Sequence, residues 1–148
     1  MAIGEFYTKM IRNKIEKQIM WGDLDSLRIV YYPKYYEWID GCSHLFFEKI
    51  SPNWDELCEN RQIMFGLRKS SCEYFIPGRY HEKIIITTQI ENLEKKIVTI
   101  KHTIANKANN KIMVRGIEKR VCMDVKDPAN LNAVDIPDDI NEILEKAV

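Results

Sequence analysis

The sequence has no net charge. Its 148 residues carry 22 Lys+Arg against 22 Asp+Glu. It therefore has no global basic field for nucleic acid and no acidic surplus for basic partners. It also has no apolar run near the ~18 residues of a membrane span, so no helical membrane anchor is expected. The four cysteines, Cys42, Cys58, Cys72 and Cys122, form no C-x-x-C pair, and His44, His81 and His102 form no H-x-x-x-H pair. Zinc-ligand spacing is missing, so no metal site is expected. Free thiols in a cytoplasmic protein are the expectation. From Met1 to Lys14 there is no apolar core and no small-residue cleavage site. Glu5, Lys9, Arg12 and Lys14 are spread along it, which does not read as a secretion signal. No internal repeat or low-complexity tract is present.

What is there suits one domain, taken as 1–148. A chain this long buries roughly 70% of its unfolded surface and needs no staple. A domain without net charge has little self-repulsion, so apolar surface left on a monomer would invite association.

One helix stands out over 34–50. Tyr35, Ile39, Cys42, Phe46 and Ile50 recur at steps of three and four, and Trp38 and Leu45 widen the stripe. Pro33 suits a first helical turn, which has no N–H bond to lose there. Ser51-Pro52-Asn53 should stop the helix. Gly41 inside it costs about 1 kcal/mol relative to alanine. Its presence predicts a sheet packed close against the helix.

Residues 62–126 read as strands. Ile84, Ile86, Thr88 and Ile90 alternate with polar neighbours, as do Val98, Ile100, His102 and Ile104. Asn92 to Lys95 and Asn109-Asn110 make the turns, and a strand follows from Ile112 to Val125. Pro137-Asp138-Asp139 opens a short C-terminal helix with acids at its positive end. The order strand, loop, long helix, four strands predicts an α+β domain whose antiparallel sheet wraps the helix. Such a sheet has two edges, and a dimer would hide one.

The unusual segment runs from Met20 to Asp40, M-W-G-D-L-D-S-L-R-I-V-Y-Y-P-K-Y-Y-E-W-I-D. It sets two carboxylates, Asp23 and Asp25, just before a helix N-terminus. Such an end offers unpaired N–H groups and partial positive charge. A carboxylate beside it can attack an acyl carbon, or activate water to do so, while those N–H groups receive the oxyanion. Tyr32 keeps its N–H next to Pro33, which has none, and is the candidate donor. The plainer reading makes both aspartates loop formers.

This segment resembles the active-site loop and helix start of the 4-hydroxybenzoyl-CoA thioesterase family, which has the hotdog fold. C-E-Y-F-I-P-G-R-Y-H-E-K-I-I-I, I-E-N-L-E-K-K-I-V-T-I-K-H-T-I, R-G-I-E-K-R-V-C-M and A-V-D-I-P-D-D-I are similar to its later strands, turn and tail, in the right order. The likeness covers roughly residues 15–142. It implies a five-stranded antiparallel sheet wrapped around a long central helix. It implies an enzyme that hydrolyses an aromatic acyl-CoA thioester, of the 4-hydroxybenzoyl- or benzoyl-CoA kind, to the free acid and coenzyme A. By the resemblance Asp25 is the catalytic carboxylate, and Asp23 fills a variable position. Tyr32 offers the N–H that polarises the carbonyl, and Asp40 faces the acyl pocket. Lys95 and Lys96 meet the coenzyme A phosphates. Coenzyme A is then part of the substrate, and no separate cofactor is implied.

Three residues depart from the family pattern. Arg28 stands where glycine is frequent. If that position needs positive φ, arginine stores strain there of order 1–3 kcal/mol. Either the loop path differs from the family's, or Arg28 serves the pantetheine or phosphate groups. Lys34 replaces an asparagine, and Arg79 adds a charge beside Gly78. The partner expected is a second copy of the chain, as a dimer or a dimer of dimers, with Asp25 and the lysines contributed by different subunits. Rival readings are an aliphatic acyl-CoA thioesterase and a hotdog that binds acyl-CoA without turnover. A hotdog dehydratase would want a catalytic histidine earlier than His44. His44 and His102 read as core or interface residues, and Cys42 and Cys72 as inert core thiols.

Overall fold

The computed structural model describes residues 10–50 and 54–148. The alternating isoleucines give what their period predicts. Strand β1 (Asn13–Gln18) is followed by helix α1 (Pro33–Ile50) and a one-turn helix α2 (Trp54–Glu56). Four long strands follow: β2 (Ile63–Tyr74), β3 (Lys83–Leu93), β4 (Ile97–Asn106) and β5 (Ile112–Asp124). A two-residue β6 (Asn132–Ala133) and helix α3 (Asp138–Ala147) complete the described chain. Every pairing is antiparallel, in the order β1-β3-β4-β5-β2, with β6 added to β5. The sheet thus has six strands, one short strand more than the five expected. It curls around α1, which gives the α+β hotdog fold.

Helix α1 begins at Pro33 as its sequence predicts. The Ser51-Pro52-Asn53 stop lies outside the described residues, as does the leader reading for residues 1–9. Tyr35, Ile39, Cys42, Phe46 and Phe47 are buried, whereas Leu45, expected in the stripe, is 43% exposed. Gly41 is also corrected: a Cβ there would meet nothing within 4 Å. The close approach exists, but the glycine serving it is on the sheet. A Cβ on Gly116 would lie 3.0 Å from Ile39 Cδ1, so β5 leaves out the side chain and lets the helix sit down. The first tight turn falls one or two residues later than expected, because β3 runs on to Leu93.

The core has two parts. At one end of α1, Phe46, Phe47, Phe65, Ile90 and Ile100 pack under Ile140, Leu144 and Ala147 of α3. Each such side chain contributes about 1.5–3 kcal/mol on burial. At the other end, Ile19, Val30, Tyr35, Ile39, Ile84, Ile104 and Met113 pack beneath the loop that precedes the helix. That loop is tied down by Val30 N–H donating to Gly78 O at 2.9 Å and Ile19 N–H to Glu82 O at 2.8 Å.

Candidate active site

The two loop aspartates do different work. Residues Trp21–Asp23 form a single 3-10 turn. Asp23 Oδ2 accepts from Met20 N–H at 2.9 Å and its carbonyl from Tyr31 N–H at 2.9 Å. Its carboxylate is thus spent on folding the loop. Asp25 starts a second turn. Its Oδ1 accepts from Leu27 N–H at 2.8 Å, its carbonyl from Arg28 N–H at 3.0 Å, and its own N–H donates to Ile29 O at 2.9 Å. The other carboxylate oxygen, Oδ2, takes no hydrogen bond among the described residues. Arg28 closes this turn at φ 61°, in the left-handed region. The position therefore does need positive φ, which costs a non-glycine residue of order 1–2 kcal/mol.

The helix start is open. Lys34 N–H donates to Tyr31 O and Tyr35 N–H to Tyr32 O, and Pro33 has no N–H. Tyr32 N–H has no hydrogen-bond acceptor among the described residues. Asp25 and Tyr32 line the same cavity of about 390 Å³, walled by Val30, Tyr35, Tyr74, Phe75 and Ile76. Tyr35 and Tyr74 stand with ring centroids 5.8 Å apart. The Tyr35 hydroxyl accepts from Gly78 N–H at 3.3 Å. A Cβ on Gly78 would come within 2.9 Å of that hydroxyl and 2.8 Å of Val30, so only glycine lets the loop lie this close. Burial pushes the Tyr35 phenol above its ordinary value, and the Gly78 N–H opposes this only in part. Burial likewise raises Tyr74, whose bonds to Tyr36 and Cys72 add to the effect. Both tyrosines therefore keep their protons at neutral pH. The Tyr74 to Pro77 wall was not foreseen. Its one signal is an apolar run directly after a strand.

Asp40 lies elsewhere. Its Oδ1 accepts from Arg120 Nη2 at 2.6 Å and its Oδ2 is 3.5 Å from His44 Nε2. It does not line the cavity that holds Asp25. Arg120 is itself buried, and its Nη2 also donates to Glu118 Oε2 at 2.9 Å. Glu118 Oε1 accepts from Ser43 Oγ and lies 3.2 Å from His102 Nε2, while His102 Nδ1 is 2.9 Å from Thr88 Oγ1. His102 is thus a core histidine with its ring nitrogens satisfied. Burial opposes ionisation of Glu118, but the His102 bond, the Arg120 charge and the Ser43 bond outweigh it and hold its carboxyl below the ordinary range. Ser43, Glu118 and Arg120 were missed from sequence. Glu118 and Arg120 fall on the inward alternation of β5, which was the available signal. His44 is exposed rather than in the core, and stacks on Trp54 with centroids 4.4 Å apart. The Cys42 thiol is pushed up to about 11 by burial, and burial also raises half-buried Cys72.

Lys95 and Lys96 sit on the β3–β4 turn, each 3.5 Å from a carboxylate oxygen of Asp135. The turn belongs to the far end of the sheet, since Cys122 N–H donates to Lys96 O and Cys122 pairs with Phe65 of β2. The Asp25 cavity lies at the Tyr74 end of β2. From Phe65 to Tyr74 the strand spans about 30 Å at its usual rise. One chain alone therefore does not bring the lysines to Asp25. Among the described residues, no group of His, Cys, Asp and Glu could hold a metal ion, and no helix is long and apolar enough to cross a membrane.

A curled antiparallel sheet around one long helix, with a carboxylate at the helix start, defines a class, and comparison with known proteins agrees. The chain belongs to the thioesterase-like superfamily, whose family model matches residues 19–144. Among its relatives is the 4-hydroxybenzoyl-CoA thioesterase of Pseudomonas sp. strain CBS-3, 27% identical over 135 residues, covering 87% of this chain and 94% of that protein. The solved structure of that enzyme superposes with a TM-score of 0.81 at 25% identity, covering 89% of this chain and 98% of the other. A gentisyl-coenzyme A thioesterase structure gives 0.75 at 26% identity, covering 86% and 98%.

Proposed function

We propose that this chain hydrolyses an aromatic acyl-CoA thioester to the free acid and coenzyme A. One observation carries the reading: Asp25, with a free carboxylate oxygen, and Tyr32, whose N–H has no acceptor among the described residues, line one ring-walled cavity. The acyl ring lies among Tyr35, Tyr74 and Phe75, and the thioester carbonyl points at the helix start. Asp25 adds to the acyl carbon, or takes a proton from a water that does. In either route the carbonyl oxygen becomes an oxyanion held by Tyr32 N–H and the helix dipole. Collapse of that centre breaks the C–S bond, and the thiolate of coenzyme A leaves and takes up a proton. Where Asp25 is the nucleophile, water then opens the mixed anhydride.

Coenzyme A places its phosphates well away from the thioester, and Lys95 and Lys96 of a second copy fit them. Strand β2 is an edge strand of 12 residues. Two such edges pairing antiparallel about a twofold axis reverse end for end. The lysine turn of one copy then stands beside the Asp25 cavity of the other. The Asp135 contacts at that turn are exposed surface pairs of small worth, readily exchanged for phosphate. Arg28, exposed on the Asp25 turn, adds a charge at the mouth. A dimer, or a dimer of dimers, is thus part of this reading.

The test is a panel of benzoyl-, 4-hydroxybenzoyl- and octanoyl-CoA, with free coenzyme A and acid both measured by mass. Faster release from the aromatic thioesters supports the reading. Faster release from octanoyl-CoA replaces it with an aliphatic enzyme, and binding without release replaces it with a non-catalytic binder. Light scattering that finds a monomer at micromolar concentration removes the shared site.

A further inference from the structure

We infer that the Tyr35 hydroxyl is a specificity-determining donor, so that the favoured acyl ring carries a hydrogen-bond acceptor where it meets that hydroxyl. The inference rests on the hydrolytic reading above and deepens it by naming the substrate chemistry. Tyr35 is 4% exposed and lines the cavity with Asp25. Its oxygen is already occupied as an acceptor by Gly78 N–H at 3.3 Å. A phenol has one proton to give, and among the described residues nothing accepts this one. Burial keeps that proton on the oxygen. The hydroxyl is also held in place: Gly78 has no room for a side chain because Tyr35, Ile19 and Val30 fill it. A buried donor fixed by a backbone N–H and left without a protein acceptor is matched by an acceptor on a ligand that fills the cavity Tyr35 lines.

The other polar groups of the cavity do not compete for this role. Asp25 and Tyr32 N–H face the reacting carbonyl in the mechanism above. The Tyr74 phenol interacts with the neighbouring Tyr36 and Cys72 side chains, which raise it further. Asp40 does not line this cavity in its own chain, and its carboxylate lies 2.6 Å from Arg120 Nη2. The distinction has chemical content. A carboxylate at the ring would demand a donor on the substrate and so a free phenol. A tyrosine O–H demands only an acceptor, so a methyl ether should serve as well as a phenol.

The experiment compares kcat/KM for four thioesters, namely benzoyl-, 4-methylbenzoyl-, 4-hydroxybenzoyl- and 4-methoxybenzoyl-CoA. The methyl compound matches the hydroxyl in size without offering an acceptor. The wild-type protein should favour both oxygen-bearing rings over 4-methylbenzoyl by about tenfold, the worth of one buried hydrogen bond. In Tyr35→Phe the 4-hydroxy to 4-methyl ratio should fall to near one. Preference for the phenol with rejection of the ether would overturn the inference and point to an acid at the ring. An unchanged ratio in a folded Tyr35→Phe would overturn it as well. If that variant fails to fold, the wild-type ether-to-methyl ratio decides alone, and a ratio near one overturns the proposal. Failure of the hydrolytic reading looks different: the wild-type protein then releases no coenzyme A from any of the four.

Discussion

The two ends of the central helix are finished in opposite ways. At the C-terminal end, Ile140, Leu144 and Ala147 of α3 close over Phe46 and Phe47, Lys49 Nζ donates to Arg12 O, and Ile11 N–H reaches Ala147 O. At the N-terminal end, Tyr32 N–H has no acceptor among the described residues, a cavity of about 390 Å³ stays open, and Arg28 sits at positive φ. Between them runs the buried chain His102–Glu118–Arg120, which ends at the half-exposed Asp40. The closed end shows what this sequence does to be stable. Each departure at the open end costs stability locally, which is where a ligand site is expected to spend it.

The sharpest way to break the comparison is at Asp25. Asp25→Asn keeps the loop, because an amide oxygen still accepts from Leu27 N–H, but removes the carboxylate from the cavity. Single-turnover hydrolysis of 4-hydroxybenzoyl-CoA should slow by about 10²–10⁴-fold. Asp23→Asn, whose side chain only closes its own turn, should stay within a few fold of wild type. Thiol-capture assays need a protein blank, since the chain has four cysteines of its own. Equal rates for wild type and Asp25→Asn would leave the open end without a catalytic residue.

The next prediction concerns the polar bridge. Glu118→Gln leaves Arg120 buried with one carboxylate partner instead of two. It should cost stability near the low end of the ~3–5 kcal/mol typical of a broken buried pair, since Asp40 remains. The pH dependence follows from the depressed carboxyl. Glu118 stabilises the fold above its ordinary value of 4.5 and loses that contribution as pH falls through its lower folded value. Urea midpoints taken from pH 7 to pH 3 should therefore drop for wild type below 4.5, and drop less for Glu118→Gln. Parallel curves would mean that the bridge carries no linked proton.

At the closed end, Leu144→Ala should lower stability by about 2–5 kcal/mol, because the side chain is fully buried and little can collapse into its place. Activity per folded molecule should not change. A loss of kcat in the folded fraction would show that the two ends are coupled through the helix rather than independent.

These contrasts were unequally visible in the sequence. The strands, the helix start at Pro33 and the helix start at Asp138 follow from alternation, period and proline, which are local effects. That Asp25 and Tyr32 would meet at the helix start was also legible, because both lie in one contiguous segment. The polar bridge was not: Ser43, His102, Glu118 and Arg120 come from three elements, and only the curl of the sheet brings them together. The pocket wall at Tyr74 to Pro77 was hidden for the same reason, since it meets Tyr35 only in three dimensions. Gly41 misled because a helical glycine implies close packing, whereas the chain met that need at Gly116 on the sheet. The lysine turn lies at the far end of its own chain, so its link to Asp25 depends on a second copy.

The smallest effect expected is at Arg28, and it separates strain from function. A left-handed arginine costs about 1–2 kcal/mol that glycine would not. Glycine returns part of this through its greater freedom in the unfolded chain, roughly 0.5–1 kcal/mol. Arg28→Gly should therefore raise Tm slightly, by no more than about 2–4 °C in a chain of this size. If the guanidinium also meets the substrate phosphates, KM for the CoA thioester should rise while kcat holds, and the increase should shrink at high salt as screening grows. A higher Tm with unchanged KM would make Arg28 strain without a role. A lower Tm would show that the side chain holds the turn through contacts worth more than the strain, and the open end would then be less costly than its backbone suggests.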